Sequence, residues 1–321
     1  MKKKVTIKDM LKMREIPLLI MIVIIITAIG IKEPIFLSSN NMIALAVGMA
    51  ADGIIVIGMT MILITGSIDL SVGSVFGLVA IVTGQLFQKT GNIWLSALLG
   101  LMLGGGIGII IGLFVTKVNI NPFITTLAAM NITRGACYVL TTGTPVPLIG
   151  LEDKSPIFAF LGKGRILSIP IIVVIFIVMA IIADILMRRT SFCRKIYYVG
   201  SNDKASNLSG ISVNKVLMGV FVCSAALASI SAVLNLARFG VASVTSGTGA
   251  EMRAISGAII GGTSLKGGVG TISGAVLGVV LLNIINAGMV QLNVPVYWQD
   301  LVSGVILLLA VTIDVFSQKK K

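Results

Sequence analysis

Long apolar runs alternate with short polar segments along the whole chain. A membrane-spanning helix needs about 20 apolar residues, and the pattern predicts ten such helices in a single domain covering residues 1–321. The predicted spans are 17–31, 42–65, 73–88, 93–116, 121–142, 168–187, 216–238, 250–265, 271–290 and 297–315. The first, third and eighth are short, so we expect them to lengthen at their ends or to be broken helices. The predicted fold class is an all-α polytopic membrane protein.

Basic residues are distributed unequally between the segments that join these spans. With a cytoplasmic N-terminus, ten spans place residues 1–16, the loop 188–215 and the tail 316–321 on the cytoplasmic side. Seventeen of the 25 Lys and Arg residues then lie on that side, in agreement with the positive-inside rule. We therefore expect a multi-pass protein of the cytoplasmic membrane, surrounded by lipid, with both termini in the cytoplasm.

The composition excludes most other classes of protein. Hydrophobic residues make up 56% of the chain and charged residues only 12%, whereas soluble domains carry about 25% charged residues. The net charge of +13 lies in short segments between apolar runs, which favours lipid headgroups over a nucleic-acid partner. The chain has no histidine and three cysteines, so the usual zinc and haem sites and imidazole-based catalysis are not expected. We predict no catalytic residues, no metal and no bound cofactor.

Glycines recur every four residues in two of the predicted spans, at Gly100, Gly104, Gly108 and Gly112 and again from Gly270 to Gly278. This spacing places them on one face of a helix, where a neighbouring backbone can approach closely. It predicts a tightly packed helix bundle.

Two segments interrupt the helical pattern, Ile64–Gly77 and Gly257–Gly274, and both are rich in Gly, Ser and Thr. Irregular backbone at membrane depth is tolerated only against protein or a wet cavity. Two charged residues, Asp52 and Arg134, also fall deep in predicted spans, where a structural ion pair and a contact with solute are equally compatible with the sequence. The candidate residues of a translocation path are Ser67, Asp69, Ser71, Asn131, Arg134, Thr263 and Ser264.

The loop 188–215 contains the signals of a short helix. Asn202 is a good N-cap, Asp203 suits the first turn, and Gly210 suits the exit. Ala205 and Leu208 would then be available for docking a partner at the membrane surface. A basic loop that only sets the topology is an equally good interpretation of these residues.

Several long segments resemble the permease subunit of bacterial ABC importers for monosaccharides of the ribose, xylose, galactose and arabinose group. The resemblance is carried by GMTMILITGSIDLSVGS (Gly58–Ser74), NPFITTLAAMNITRG (Asn121–Gly135), YYVGSNDKASNLSGISVNKV (Tyr197–Val216) and AISGAIIGGTSLKGGVGTISGAVLG (Ala254–Gly278). It covers nearly the whole chain. One departure is Arg253, which stands where relatives commonly have an acidic residue.

The resemblance implies a type II ABC-importer-like fold of about ten helices, paired with a second permease copy or a paralogue. It also implies an ABC ATPase that uses the ATP, so that the permease itself holds no cofactor, and an extracytoplasmic sugar-binding protein. The segment Gly200–Gly210 resembles the loop that couples to the ATPase, and its candidate residues are Gly200, Asn202, Ala205, Leu208, Ser209 and Gly210. Three basic residues on the opposite side are candidates for docking acidic groups of the binding protein: Lys154, Lys163 and Arg165.

An ion-coupled secondary transporter of a small polar solute is the alternative function, since such carriers also use buried acids and broken helices. The energy source separates the two hypotheses. The choice among pentoses, hexoses, furanosyl signals and nucleoside-like solutes stays open at the level of the sequence.

Overall fold

The computed structural model describes residues 15–148, 150 and 155–319, with the backbone alone at 296, 300, 310 and 313–319. Helices account for most of this part of the chain, and the other elements are one 3₁₀ turn and four two-residue strands. The α-helices are α1 (Glu15–Lys32), α2 (Ser39–Ile64), α3 (Val72–Thr90), α4 (Ile93–Thr116), α5 (Pro122–Thr141), α6 (Pro156–Lys163), α7 (Ile171–Arg189), α8 (Ser191–Ser201), α9 (Asp203–Leu208), α10 (Val213–Phe239), α11 (Ala250–Ile260), α12 (Ile272–Gln291) and α13 (Val296–Lys319).

Each of the ten predicted spans corresponds to a helix of the structure. Eight helices of the described residues, α1 to α5, α7, α10 and α12, are long and apolar enough to cross a membrane. The first and third predicted spans lengthen at their ends, to 18 residues in α1 and 19 in α3. The eighth is different, because α11 has only 11 residues. At about 1.5 Å per residue it covers roughly half of a hydrocarbon core about 30 Å thick. The all-α polytopic membrane fold is confirmed.

Local sequence signals set many of the helix ends. The side chains of Ser38, Asn92 and Asn121 accept hydrogen bonds from backbone N–H groups in the first turns of α2, α4 and α5. Gly91 and Gly240 end α3 and α10 in the left-handed conformation, which glycine adopts without steric cost. The interruptions between spans are therefore encoded by caps as well as by polarity.

Helix α2 forms the centre of the bundle and is almost entirely buried in its second half. The glycine face of α4 packs against α3 and α10: a Cβ built on Gly104 would lie 1.8 Å from Ser229 Oγ, and one on Gly108 would lie 2.9 Å from Phe221 O. The predicted close packing of this face is confirmed. Large apolar side chains on α1, α4 and α7 remain exposed and face the surrounding lipid of a membrane protein.

The bundle has two unlike ends. We call the end with α8 and α9, which includes the loop 188–215, the basic end. The opposite end carries α6 and a hairpin of Arg165–Ile166 (β2) with Ile169–Pro170 (β3), and we call it the hairpin end. A second pair at this end joins Val146–Pro147 (β1) to Val241–Ala242 (β4).

Candidate functional site

The chain between α2 and α3 is non-helical and is held against α5. Thr126 of α5 donates a hydrogen bond from Oγ1 to the carbonyl of Ile68 (3.3 Å), and Thr133 donates to Ser74 Oγ (2.6 Å). These two threonines are seven residues apart on one helix, a rise of about 10 Å. Residues 65–71 therefore run from the basic end towards the middle of the bundle before α3 begins.

Two predicted path residues, Asp69 and Ser71, stabilise this irregular segment. Asp69 is 1% exposed, and its carboxylate accepts hydrogen bonds from the Ser71 N–H (2.8 Å) and hydroxyl (2.6 Å). Ser67 is buried on the same segment. Because the carboxylate is hydrogen-bonded within its own turn, its position is fixed at the N-terminus of α3.

The N-termini of α3 and α11 meet in the interior. A Cβ built on Gly73 would lie 2.3 Å from Gly247 O and 2.2 Å from Glu251 Oε2, so only glycine permits this approach. Residues 240–249, which follow α10, therefore fold back into the bundle and deliver the start of α11 beside the start of α3. The result is a junction of two helix N-termini at membrane depth.

Arg134 of α5 fastens this junction. Its guanidinium donates to the carbonyls of Val244, Ser246 (3.0 Å) and Gly73 (3.4 Å). The sequence left an ion pair and a solute contact open for Arg134, whereas in the structure its guanidinium donates to three backbone carbonyls. Arg134 thus connects α5 to both interrupted segments.

Asp52 of α2 forms a two-point ion pair with Arg253 of α11. Arg253 Nε lies 2.9 Å from Asp52 Oδ2, and Nη2 lies 3.2 Å from Oδ1. For Asp52 the ion-pair alternative is therefore the one observed. The pair lines a cavity of about 420 Å³ between α2, α7, α10 and α11, which also includes Asn235 and Arg238.

The segment at the basic end has the local structure that the sequence predicts. Asn202 caps α9 by accepting a hydrogen bond from the Ala205 N–H (2.9 Å), and Asp203 lies in the first turn. Gly210 follows α9 in the left-handed region, with φ +79°. Leu208 is 91% exposed, so an apolar side chain projects from the short helix.

Helix α8 connects this exposed segment to both interruptions of the bundle. A Cβ built on Gly200 would lie 1.7 Å from Ile64 O, and the Gly268 N–H donates to that same carbonyl (2.8 Å). Tyr197 donates from its hydroxyl to Gly270 O (3.0 Å). Burial is the largest cause that raises the pKa of the Tyr197 phenol, which keeps the donating proton in place. We call Tyr197, Gly200, Ile64, Gly268 and Gly270 the contact block.

The predicted path residues do not form one cluster. Ser67, Asp69, Ser71 and Arg134 follow the α2–α3 segment and the junction, whereas Thr263 and Ser264 lie in the buried turn after α11, where Thr263 packs on Gly270 of the contact block. Asn131 is exposed on the side of α5 and is not part of either group.

The predicted docking residues lie at the hairpin end as far as the structure describes them. Arg165 is exposed on β2, and Lys163 ends α6. Lys154 lies outside the described residues. The tip of the hairpin consists of Leu167 and Ser168, both with positive φ, and Leu167 is 92% exposed.

Sequence reasoning missed the members of the cavity. In the sequence, Asn235 and Arg238 have no feature that separates them from the polar end of an ordinary membrane span. Gly48 likewise resembles the other glycines of the predicted helices. Only the four-residue spacing of Ala44, Gly48 and Asp52 marks a face of α2 with small side chains beside a charge.

Residues 41–311 match a family described as branched-chain amino acid transport system / permease component. The chain is 36% identical over 296 residues to the ribose import permease protein of Escherichia coli K12, covering 92% of each chain. It is 34% identical to the ribose import permease protein of Bacillus subtilis 168 (91% of this chain, 89% of the relative) and 33% identical to the L-arabinose transport system permease protein of E. coli K12 (95% and 91%). No solved structure matches. The chain therefore belongs to this family of permease components of membrane transport systems.

Proposed function

We propose that the chain is the membrane-spanning permease subunit of an ABC importer and that it translocates a monosaccharide of the ribose or arabinose type. Support comes from the ribose and arabinose permeases, to which this chain is similar over most of its length. The mechanism rests on the contact block, in which α8 contacts both the end of α2 and the turn between α11 and α12.

Movement imposed on α9 would pass into the bundle through α8. A separate ATPase that binds the exposed Leu208 side chain would displace α9 and, with it, α8. Gly200 is in contact with the end of α2 and with the turn between α11 and α12, so both must move when α8 moves. The end of α2 continues into residues 65–71 and the start of α3, and the turn after α11 connects to α11, so the displacement would reach the junction. Arg134 joins the junction to α5, which would extend the displacement to the middle of the membrane. Alternating access then results from shifting packed elements rather than from covalent chemistry.

The other components fit the two ends of the bundle. The ATPase lies at the basic end, which is cytoplasmic together with both termini, as the distribution of Lys and Arg favours. A sugar-binding protein docks at the hairpin end, where Lys163 and Arg165 meet acidic groups. A second permease copy or a paralogue packs beside this subunit. ATP is bound by the ATPase and not by this chain.

Transport in a reconstituted system tests this function. Proteoliposomes that contain this chain, its ATPase and its binding protein should accumulate radiolabelled ribose or arabinose only when ATP is supplied to the ATPase side. The secondary-transporter alternative predicts uptake by this chain alone, and that uptake is abolished when proton and sodium gradients are dissipated. ATP-independent, ionophore-sensitive uptake would therefore refute the proposal.

Docking of the binding protein has its own test. Contacts between exposed charges weaken as salt increases, because the Debye length falls from about 10 Å at 0.1 M to about 3 Å at 1 M. We expect the association rate of the binding protein to fall with salt and to fall further in Arg165→Glu. A salt-independent rate that Arg165→Glu leaves unchanged would contradict docking at this end.

A further inference from the structure

The cavity beside the Asp52–Arg253 pair lies in the half of the subunit nearer the hairpin end. Its walls come from α2, the start of α7, the end of α10 and the start of α11, with Phe76 of α3 and Gly247 completing the lining. Two of its lining residues, Arg238 and Phe239, are exposed at the end of α10, Phe239 by 65%, so part of the lining is accessible near the hairpin end. Its volume of about 420 Å³ falls within the roughly 300–1,000 Å³ of small-molecule sites.

The cavity combines apolar walls with a small group of hydrogen-bonding side chains, as small-molecule sites usually do. Asp52 supplies two acceptor oxygens, Arg253 and Arg238 supply donors, and the Asn235 amide supplies both. Phe76 and Phe239 are among the apolar lining residues. The carboxylate and one guanidinium neutralise each other, so the pair can exchange bonds with a solute whose neighbouring hydroxyls both donate and accept.

The cavity extends to the α2 backbone at Gly48, because glycine has no side chain to fill it. A Cβ built on Gly48 would meet nothing within 4 Å. Two other glycines of the same helix are covered, because a Cβ on Gly53 would lie 2.3 Å from Phe176 and one on Gly58 would lie 2.8 Å from the Ser224 backbone. Gly48 is thus the position of α2 where a larger side chain would enter the cavity without displacing a neighbour.

Helix α11 joins this cavity to the contact block. Its first turns carry Arg253 in the cavity, and the turn after its last residue, Ile260, leads to Gly268 and Gly270 of the contact block. The cavity therefore lies at the start of α11, which is about 16 Å long, and the turn that enters the contact block follows its other end. A solute that displaces Arg253 acts on the helix that leads into this turn.

Resting on the proposed function, we propose that this cavity within the single subunit is a solute-binding site, and that it takes a neutral polyhydroxyl solute of monosaccharide size through Asp52, Arg253 and Asn235. The lining residues named here all belong to this chain, so each permease copy would carry its own site.

Thiol labelling tests the site without requiring transport. Gly48→Cys is placed in a chain whose Cys137, Cys193 and Cys223 are replaced by alanine, and a water-soluble maleimide is added to proteoliposomes. The control is Gly106→Cys on the exposed apolar side of α4, where a Cβ also meets nothing within 4 Å. Since the reactive thiolate forms in water, we expect Gly48→Cys to react about ten-fold faster than the control. Ribose or arabinose should slow that reaction, and potassium chloride at equal osmolarity should not.

Uptake by the complete transporter provides the second measurement. Gly48→Leu should lower ATP-driven sugar uptake by about ten-fold, because the side chain occupies the cavity, while Gly106→Leu transports like the wild type. Normal uptake by Gly48→Leu, or a Gly48→Cys thiol that sugar does not protect, would overturn the cavity site while the wild-type uptake still supports the proposed function. A wild-type complex that accumulates neither sugar would instead refute the proposed function, and sugar protection of the thiol alone would then decide the cavity site.

Discussion

Gly200→Ala is the smallest change that should separate the end of α8 from the bundle. The added Cβ would lie 1.7 Å from Ile64 O and 2.7 Å from Gly268 N, and both atoms belong to backbone that cannot rotate away. An ordinary carbon–oxygen contact is about 3.4 Å, so α8 must withdraw from α2 by roughly 1.7 Å. Forcing an extra group into a packed contact costs about 1–3 kcal/mol, which corresponds to about a 5- to 150-fold change in the population of the docked arrangement.

The assay measures sugar uptake and ATP hydrolysis in the same proteoliposomes. We expect Gly200→Ala to lower the amount of sugar moved per ATP hydrolysed, because the ATPase still binds α9 while its movement no longer reaches α2. Gly91→Ala, at the end of α3, is the matched control and should couple like the wild type: its left-handed φ costs about 1–2 kcal/mol with a Cβ, but that Cβ meets nothing within 4 Å. If Gly200→Ala is present at the wild-type level and couples as well as the wild type, the contact block does not transmit movement.

Three further changes test other parts of this account. Tyr197→Phe removes the bond to Gly270 and should lower the unfolding free energy by about 1 kcal/mol, seen as a lower thermal midpoint in detergent. Arg134→Gln leaves carbonyls of the junction without their charged donor and should reduce the level of folded subunit. Gel filtration of the detergent-solubilised protein measures this level, and a normal profile would refute the role of Arg134 in stabilising the junction. Leu208→Asp should abolish co-purification of the ATPase without moving the thermal midpoint, since the side chain is almost fully exposed.

The sequence predicts the positions of the helices well and their contacts poorly. Apolar length and caps are local properties, so Asn202 and Gly210 delimit α9 as expected, and the glycines of α4 mark a close packing face. The pairing of Asp52 with Arg253 joins residues 201 positions apart, and no local pattern encodes it. The same holds for Arg134, whose carbonyl partners have no side-chain signature in the sequence.

The candidate path shows the same limit. Clusters of Gly, Ser and Thr locate both interruptions, but they do not reveal that Thr263 belongs to the basic end while Asp69 lies towards the middle of the bundle. Depth depends on how far the chain folds back before a helix starts, which the tertiary packing of residues 240–249 decides.

The shortness of α11 has a consequence for biosynthesis. A segment of 11 helical residues is too short to be inserted as an independent span when the ribosome delivers it. Its flanking non-helical backbone would be unsatisfied in lipid, so α11 must wait for α12 and α13, the packing partners that follow it in the chain, to enclose it together with α2. Truncated chains that end just after residue 260 should therefore leave α11 outside the bilayer, and the insertion of this region becomes a late, cooperative event in the maturation of the protein.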